Sequence, residues 1–220
     1  MLGKPGTLQF RSGFKLRVLR PIDLLVAAEA ILFDCYKIAQ SPPPRSVIDV
    51  GGALGEFGLF IAHRFPSAKV TIFEPNPESF AVLRENAALN GLKNVDLEWA
   101  CVGPDIRYDF PAHHSVRNSV IAADSRYTQV PGTRLADFIH DEVDILKVDT
   151  EGFEIPVLKT AGNKLAQIRT ILLEYHESIV PGQRRVLEQI LVDNRFVVTS
   201  EADPFDEHLG LMFAVRSEED

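Results

Sequence analysis

A chain of 220 residues that is 45% hydrophobic can bury one good core, so a single globular domain is the expectation. Its net charge of −8 and pI near 5.3 exclude the basic face that nucleic acid requires and disfavour an anionic membrane surface. Two cysteines, Cys35 and Cys101, are too few for a disulfide framework and read as reduced, half-buried thiols. The N-terminus lacks an apolar stretch with a cleavage site, and the apolar run 24–33 is broken by Glu29 and too short to span a bilayer. A cytoplasmic compartment is therefore expected.

Residues 1–20 carry three glycines and several Lys and Arg, and read as an extended or hairpin-like arm. Pro21 opens a helix with Asp23 in its first turn, which the helix dipole favours. An apolar stripe of Leu24, Leu25, Ala28, Ile31, Leu32 and Cys35 carries this helix to Gln40, before Pro42-Pro43-Pro44 ends it. Residues 1–44 are thus an N-terminal arm and helix, scaffold more than lid, ahead of a main domain over 45–220. Val47, Ile48 and Val50 then suit a short buried parallel strand, followed by Gly51, Gly52 and Gly55 and a helix over 56–64. The glycines are expected to turn the chain tightly and to leave backbone N–H groups open to a ligand. A second strand over 69–74 ends in Glu74, and Pro75-Asn76-Pro77 leads into a helix over 77–90 that Asn90-Gly91 stops. A third strand over 95–100 ends at Ala100-Cys101. Residues 103–132 are poorly periodic and read as a hairpin or loop over a pocket, suited to substrate selection. Within it His113 and His114 are adjacent, so their side chains diverge and solvated loop histidines are expected there. A short helix over 135–140, a strand over 144–149, a helix over 154–161 and a strand over 170–174 follow. A helix over 181–194 and a closing pair of strands complete the chain.

Strand, glycine turn and helix is the entry to a nucleotide-like pocket in doubly wound folds. Here the glycines fall as Asp49-x-Gly51-Gly52-x-x-Gly55, without the G-x-G-x-x-G spacing that a pyrophosphate wants. An aspartate at the strand tip suits a cationic ligand, and S-adenosylmethionine, with an ammonium, a sulfonium and no phosphate, is of that kind. Four strands deliver Asp49, Glu74, Asp149 and Glu174 to the carboxyl edge of the sheet, where ligands bind in open α/β folds. Glu74, about twenty residues beyond the glycine turn, is placed to accept hydrogen bonds from ribose hydroxyls. Lys147 lies two residues from Asp149 on the same side of an apolar strand, and needs a carboxylate partner. Glu174 or Glu154 is the expected one.

The runs Val47-Ile48-Asp49-Val50-Gly51-Gly52-Ala53-Leu54-Gly55, Phe73-Glu74-Pro75-Asn76-Pro77 and Lys147-Val148-Asp149-Thr150-Glu151-Gly152-Phe153-Glu154 together resemble the FkbM family of methyltransferases. The likeness extends to Thr133-Arg134-Leu135-Ala136-Asp137-Phe138 and Glu174-Tyr175-His176, and so covers residues 45–176. It implies a class I, Rossmann-like methyltransferase fold: α/β, doubly wound, with a mostly parallel seven-stranded sheet and here an N-terminal helical extension. It also implies a small-molecule or sugar acceptor methylated on a hydroxyl. The family usually has Ala-Asn where this chain has Gly52-Ala53, which removes a polar contact near the methionine part of the cofactor.

By that resemblance Asp49, Gly51, Gly52 and Gly55 build the methionine-binding turn. Glu74 holds the ribose beside Pro75 and Asn76, Ala100 and Cys101 flank adenine, and Asp149 faces the sulfonium and the acceptor. His176 is the first candidate base, since its unperturbed pKa lies near neutrality, and Asp149 the second. No metal is expected, for lack of a spacing motif, although Asp149, Glu174 and His176 are a donor set that can bind a divalent ion. Three rivals stay open: an amine acceptor, a non-catalytic subunit that binds the cofactor, and a nicotinamide-dependent oxidoreductase. Oligomeric state is open too, with a homodimer one alternative.

Overall fold

The structure, a computed structural model, describes residues 6–111, 127–203 and 206–217. The arm is a hairpin, β1 (Gly6–Gln9) antiparallel to β2 (Lys15–Val18). After α1 (Pro21–Ala27) the chain alternates β3 (Ser46–Val50), α2 (Gly58–Arg64), β4 (Lys69–Phe73), α3 (Pro77–Leu89) and β5 (Val95–Glu98). Three short strands, β6 (Cys101–Val102), β7 (Arg107–Pro111) and β8 (Tyr127–Thr133), form a separate small sheet in the order β6-β8-β7. Then come β9 (Val143–Val148), α4 (Glu154–Ala161), β10 (Ile168–His176), α5 (Gln183–Asp193), β11 (Phe196–Ala202) and β12 (Leu209–Arg216).

The main sheet has seven strands in the order β11-β12-β10-β9-β3-β4-β5. Neighbours from β10 to β5 pair in parallel, and β12 runs antiparallel to both β10 and β11. Both faces are covered, which is why β3 and β9 read as nearly continuous apolar runs. Leu146, Val148 and Leu173 point into the core beneath α4 and α5, where Val157, Leu158, Leu187 and Leu191 meet them. Ile145, Val70 and Ile72 point the other way, against Leu59 and Ile61 of α2, Leu83 of α3, and Phe14 and Leu16 of the hairpin. At about 25 cal/mol per Å² of apolar surface, these two layers are the main favourable term in folding.

The N-terminal helix departs from the expectation. It is α-helical only over Pro21–Ala27, continues as one π-helical turn over Ala28–Leu32, and gives way to a 3-10 turn over Ile38–Gln40. Asp34 is the cause: its carboxylate accepts from the backbone N–H of Ile38 and Ala39, both at 2.8 Å, and competes with the helical ladder. Leu25 and Leu32 of the expected stripe are 51% and 65% exposed, while Ala27, Tyr36 and Ile38 do the packing. Residues 103–132 do contain the expected hairpin, β7 against β8, but His113 and His114 lie outside the described residues. Both cysteines are free thiols, Cys101 buried and Cys35 partly so. Among the described residues no helix is long and apolar enough to cross a membrane.

Candidate functional site

The turn after β3 brings its glycines against neighbouring strands. A Cβ on Gly51, at φ 84°, would lie 1.8 Å from the Asp149 carbonyl oxygen, so no other residue fits there. The N–H groups of Gly51 and Gly52 both donate to the Phe73 carbonyl, at 3.0 and 2.9 Å. Ala53 N–H donates to Glu74 Oε2 at 2.8 Å, Leu54 N–H to Glu56 Oε2 at 3.0 Å, and Gly55 N–H to the Gly52 carbonyl at 2.8 Å. Every donor of the turn is committed within the protein. The expectation of free N–H groups for a ligand is corrected on that ground.

Asp49 and Lys147 are register partners across β3 and β9 and are both buried. Lys147 Nζ donates to the Gly51 carbonyl at 2.8 Å and stands 3.3 Å from Asp49 Oδ1 and 3.4 Å from Asp149 Oδ2. Its partners are therefore Asp49 and Asp149, not Glu174 or Glu154, because the register sets Asp49 directly beside it. Burial alone would lower the Lys147 pKa, but the two carboxylates hold it raised, and it stays charged. The other Asp49 oxygen accepts from the Gly58 N–H at 3.0 Å and starts α2.

A cavity with about 640 Å³ of empty space, its open mouth included, lies at the carboxyl ends of β3, β4 and β9. Of the residues expected at the cofactor, Gly51, Glu74, Pro75, Ala100, Cys101 and Asp149 line it. Asp49, Gly52, Gly55 and Asn76 do not, and work behind it. Asn76 caps α3 by accepting from the N–H groups of Glu78 and Ser79. Glu74 is positioned by the N–H groups of Ala53 and Asn76, at 2.8 and 2.7 Å, and burial outweighs both bonds and pushes its pKa up to about 8. Sequence reasoning missed Phe110, Thr150, Glu151 and Phe153 as lining residues. Phe153 sits in the run Lys147–Glu154 that carries the family resemblance, but the resemblance assigns it no role. Phe110 comes from the small sheet, whose placement no local signal announces.

The donor set fits a cationic nucleoside. Among the described lining residues there is no Lys or Arg, carboxylates stand on both sides of the glycine turn, and a slot of Phe73, Ala100, Val102, Phe110 and Phe153 can take a flat base. Thr150 Oγ1 is buried without a hydrogen-bond partner among the described residues, a polar atom that a ligand would satisfy.

His176 ends β10 and is buried. Its Nδ1 lies 3.1 Å from Glu154 Oε1, which also accepts from the N–H groups of Thr150 and Gly152, at 3.0 and 3.1 Å. Glu154 Oε2 accepts from Gln183 Nε2 at 2.6 Å, and Gln183 Oε1 accepts from the His176 N–H at 2.7 Å. The other ring nitrogen, Nε2, is 3.5 Å from Glu151 and 3.9 Å from Glu174. Asp149, Glu151 and His176 bring potential ligand atoms within 4.8 Å of one another, so Glu151 takes the place expected of Glu174 in that set. Burial alone would lower the His176 pKa, but Glu154 and its acidic neighbours hold it at about 9, so the ring is an imidazolium at neutral pH. Burial and then Asp149 push Glu174 up to about 8. The N-terminal segment faces the same acidic end: the Glu29 carboxyl is raised by burial, Asp203 and Asp149.

A mostly parallel seven-stranded sheet with one antiparallel strand, and a cavity at its carboxyl edge, is the Rossmann-like fold of the class I methyltransferases. The Methyltransferase FkbM domain matches residues 49–212, and the chain belongs to that family. It is 27% identical over 205 residues to Methyltransferase sdnD of Sordaria araneosa, covering 75% of this chain and 78% of the relative. It is 25% identical over 138 residues to the Hexuronic acid methyltransferase AglP of Haloferax volcanii, covering 60% and 56%. Among solved structures, Methyltransferase FkbM from Methylobacillus flagellatus KT superposes with a TM-score of 0.57 at 13% identity, over 81% of this chain and 46% of that one. M. jannaschii TYW2 in complex with AdoMet superposes with a TM-score of 0.54 at 13% identity, over 96% and 84%. This chain thus spans under half the length of the Methylobacillus protein.

Proposed function

We propose that this protein transfers a methyl group from S-adenosylmethionine to a hydroxyl of a small molecule or sugar. The observation that carries the reading is the apolar cavity with Glu74 on one side of the β3 turn and Asp149 on the other. Glu74 would hold the ribose hydroxyls, Ala100 and Cys101 would flank adenine, and Asp149 with the Gly51 turn would meet the methionine part. When bound, the cofactor supplies an electrophilic methyl group on a sulfonium. Catalysis by the protein is then mainly positioning and exclusion of water, for which Phe110 and Phe153 line the cavity. Asp149 lines it too, and is the first group to receive the acceptor's proton; His176, behind it and protonated at neutral pH, becomes competent as a base only near pH 9. The name of one relative, a hexuronic acid methyltransferase, supports a sugar acceptor.

An amine is the second reading. The acidic surroundings formed by Glu29, Asp149, Glu174 and Asp203 favour a cationic acceptor. Calorimetric titration with S-adenosylmethionine and S-adenosylhomocysteine tests the cofactor: micromolar binding is expected, weakened roughly ten-fold or more by Glu74→Ala. Absence of binding by either ligand overturns the reading. Release of S-adenosylhomocysteine with matched alcohols and amines then decides the acceptor.

A further inference from the structure

We infer that Asp149, Glu151 and His176 form a binding site for one divalent cation in the wall of the cavity, and that Mn2+ is the ion whose chemistry fits it best. Their ligand atoms already converge within 4.8 Å of one another. The His176 side chain is 3% exposed, and its Nε2 makes no hydrogen bond to any described residue while facing Glu151 at 3.5 Å. Its Nδ1 is committed to Glu154 at 3.1 Å. The carboxylate behind the imidazole holds the Nδ1 proton, so a metal that displaces the Nε2 proton meets a lone pair already turned toward Glu151, the usual arrangement around a metal-binding histidine.

That outer support is itself rigid. Glu154 is fully buried and held by Gln183 and by the N–H groups of Thr150 and Gly152, so one carboxylate orients both the histidine and the turn that carries Glu151. Beside them Thr150 Oγ1 is buried with no hydrogen-bond partner among the described residues. Glu151 is held at φ 52°, a left-handed conformation that is strained for a residue with a side chain and persists where the surroundings impose it. One imidazole with two carboxylates suits Mn2+: Mg2+ prefers oxygen alone, and Zn2+ prefers more nitrogen or sulfur than this site offers.

The cation site stands on its own geometry. Only its use, to hold an acceptor hydroxyl and make its proton more acidic, rests on the methyl-transfer reading. The test is titration of metal-stripped full-length protein with MnCl2 without cofactor, read by calorimetry and by the electron paramagnetic resonance of bound Mn2+. One micromolar site is expected, weakened about ten-fold or more by His176→Gln and by Glu151→Gly. Glu151→Gly relieves the left-handed strain, so it folds at least as well as the parent, and a melting curve verifies this. No stoichiometric binding of Mn2+, Mg2+ or Zn2+ up to millimolar concentration overturns the inference, as does Mn2+ binding unchanged in both variants. A parallel titration with S-adenosylmethionine in EDTA separates the two readings. Cofactor binding without Mn2+ binding removes the cation site alone, and Mn2+ binding without cofactor binding removes the proposed function alone.

Discussion

Ala53 occupies the left-handed region at φ 44° in the middle of the β3 turn, where a Cβ costs about 1 kcal/mol and Asn or Gly is favoured. The resemblance to a family with Asn at this place thus acquires a conformational reason. Ala53→Gly is expected to stabilise the protein by about 1 kcal/mol and to raise Tm by roughly 2–4 °C, measured by calorimetric melting. Asp49 tells a different story from the one its motif suggests. It is 0% exposed, does not reach the cavity, and neutralises Lys147 while starting α2. Asp49→Ala should therefore cost about 3–5 kcal/mol in urea unfolding, a stability defect that precedes any loss of ligand. That four acids meet one edge of the sheet was legible, because each ends an apolar run. That one of the four is buried behind the cavity was not, because only the register of β3 against β9 puts Lys147 beside it.

At the scale of elements, the hairpin is tied to α3 by two asparagines one turn apart. Arg17 N–H donates to Asn86 Oδ1 at 2.7 Å and Asn86 Nδ2 returns a bond to the Arg17 carbonyl at 3.0 Å; Asn90 does the same with Lys15, at 2.8 and 2.6 Å. The side-chain amides thus imitate a neighbouring strand along β2. Asn86 Nδ2 also donates to the Leu54 carbonyl at 2.8 Å and so links the hairpin to the glycine turn. Asn86→Ala leaves several buried groups unpaired. It should cost about 2–4 kcal/mol and speed hydrogen exchange at the Arg17 amide more than at the Lys15 amide, which Asn90 still holds. The helix over 77–90 was readable from Phe80, Leu83 and Ala87. What it holds was not, since an asparagine on a helix has no pattern that announces a distant strand. The break after α1 was hidden for the same kind of reason: an apolar stripe extends a helix on paper, and one carboxylate, Asp34, ends it in space.

For the whole molecule, buried acids make stability depend on pH in an unusual direction. Burial raises Glu74 to about 8 and Glu56 to about 7, from 4.5. A carboxyl whose folded pKa is raised binds its proton more tightly in the folded state, so its contribution is complete below pH 4.5 and disappears as pH rises through the folded values. The unfolding free energy from urea titration should therefore fall between pH 5 and pH 8, by on the order of 5 kcal/mol if both groups contribute in full. A cationic ligand beside Glu74 should restore more stability at pH 8 than at pH 5, measured by thermal melting with and without S-adenosylmethionine.

The Asp49 carboxylate at the start of α2 has a further consequence. In folds of this shape the N-terminal end of that helix is the seat where a dinucleotide rests its negative charge. Here the protein fills the seat with an anion of its own, bonded to the Gly58 N–H, and the turn before it has no donor to spare. An incoming diphosphate would meet a charge of its own sign and no hydrogen bonds. For the cofactor proposed above, discrimination against a dinucleotide would be electrostatic, and the glycine spacing would be its trace in the sequence. Seating a nicotinamide cofactor here would require rebuilding the backbone bonding of the whole turn.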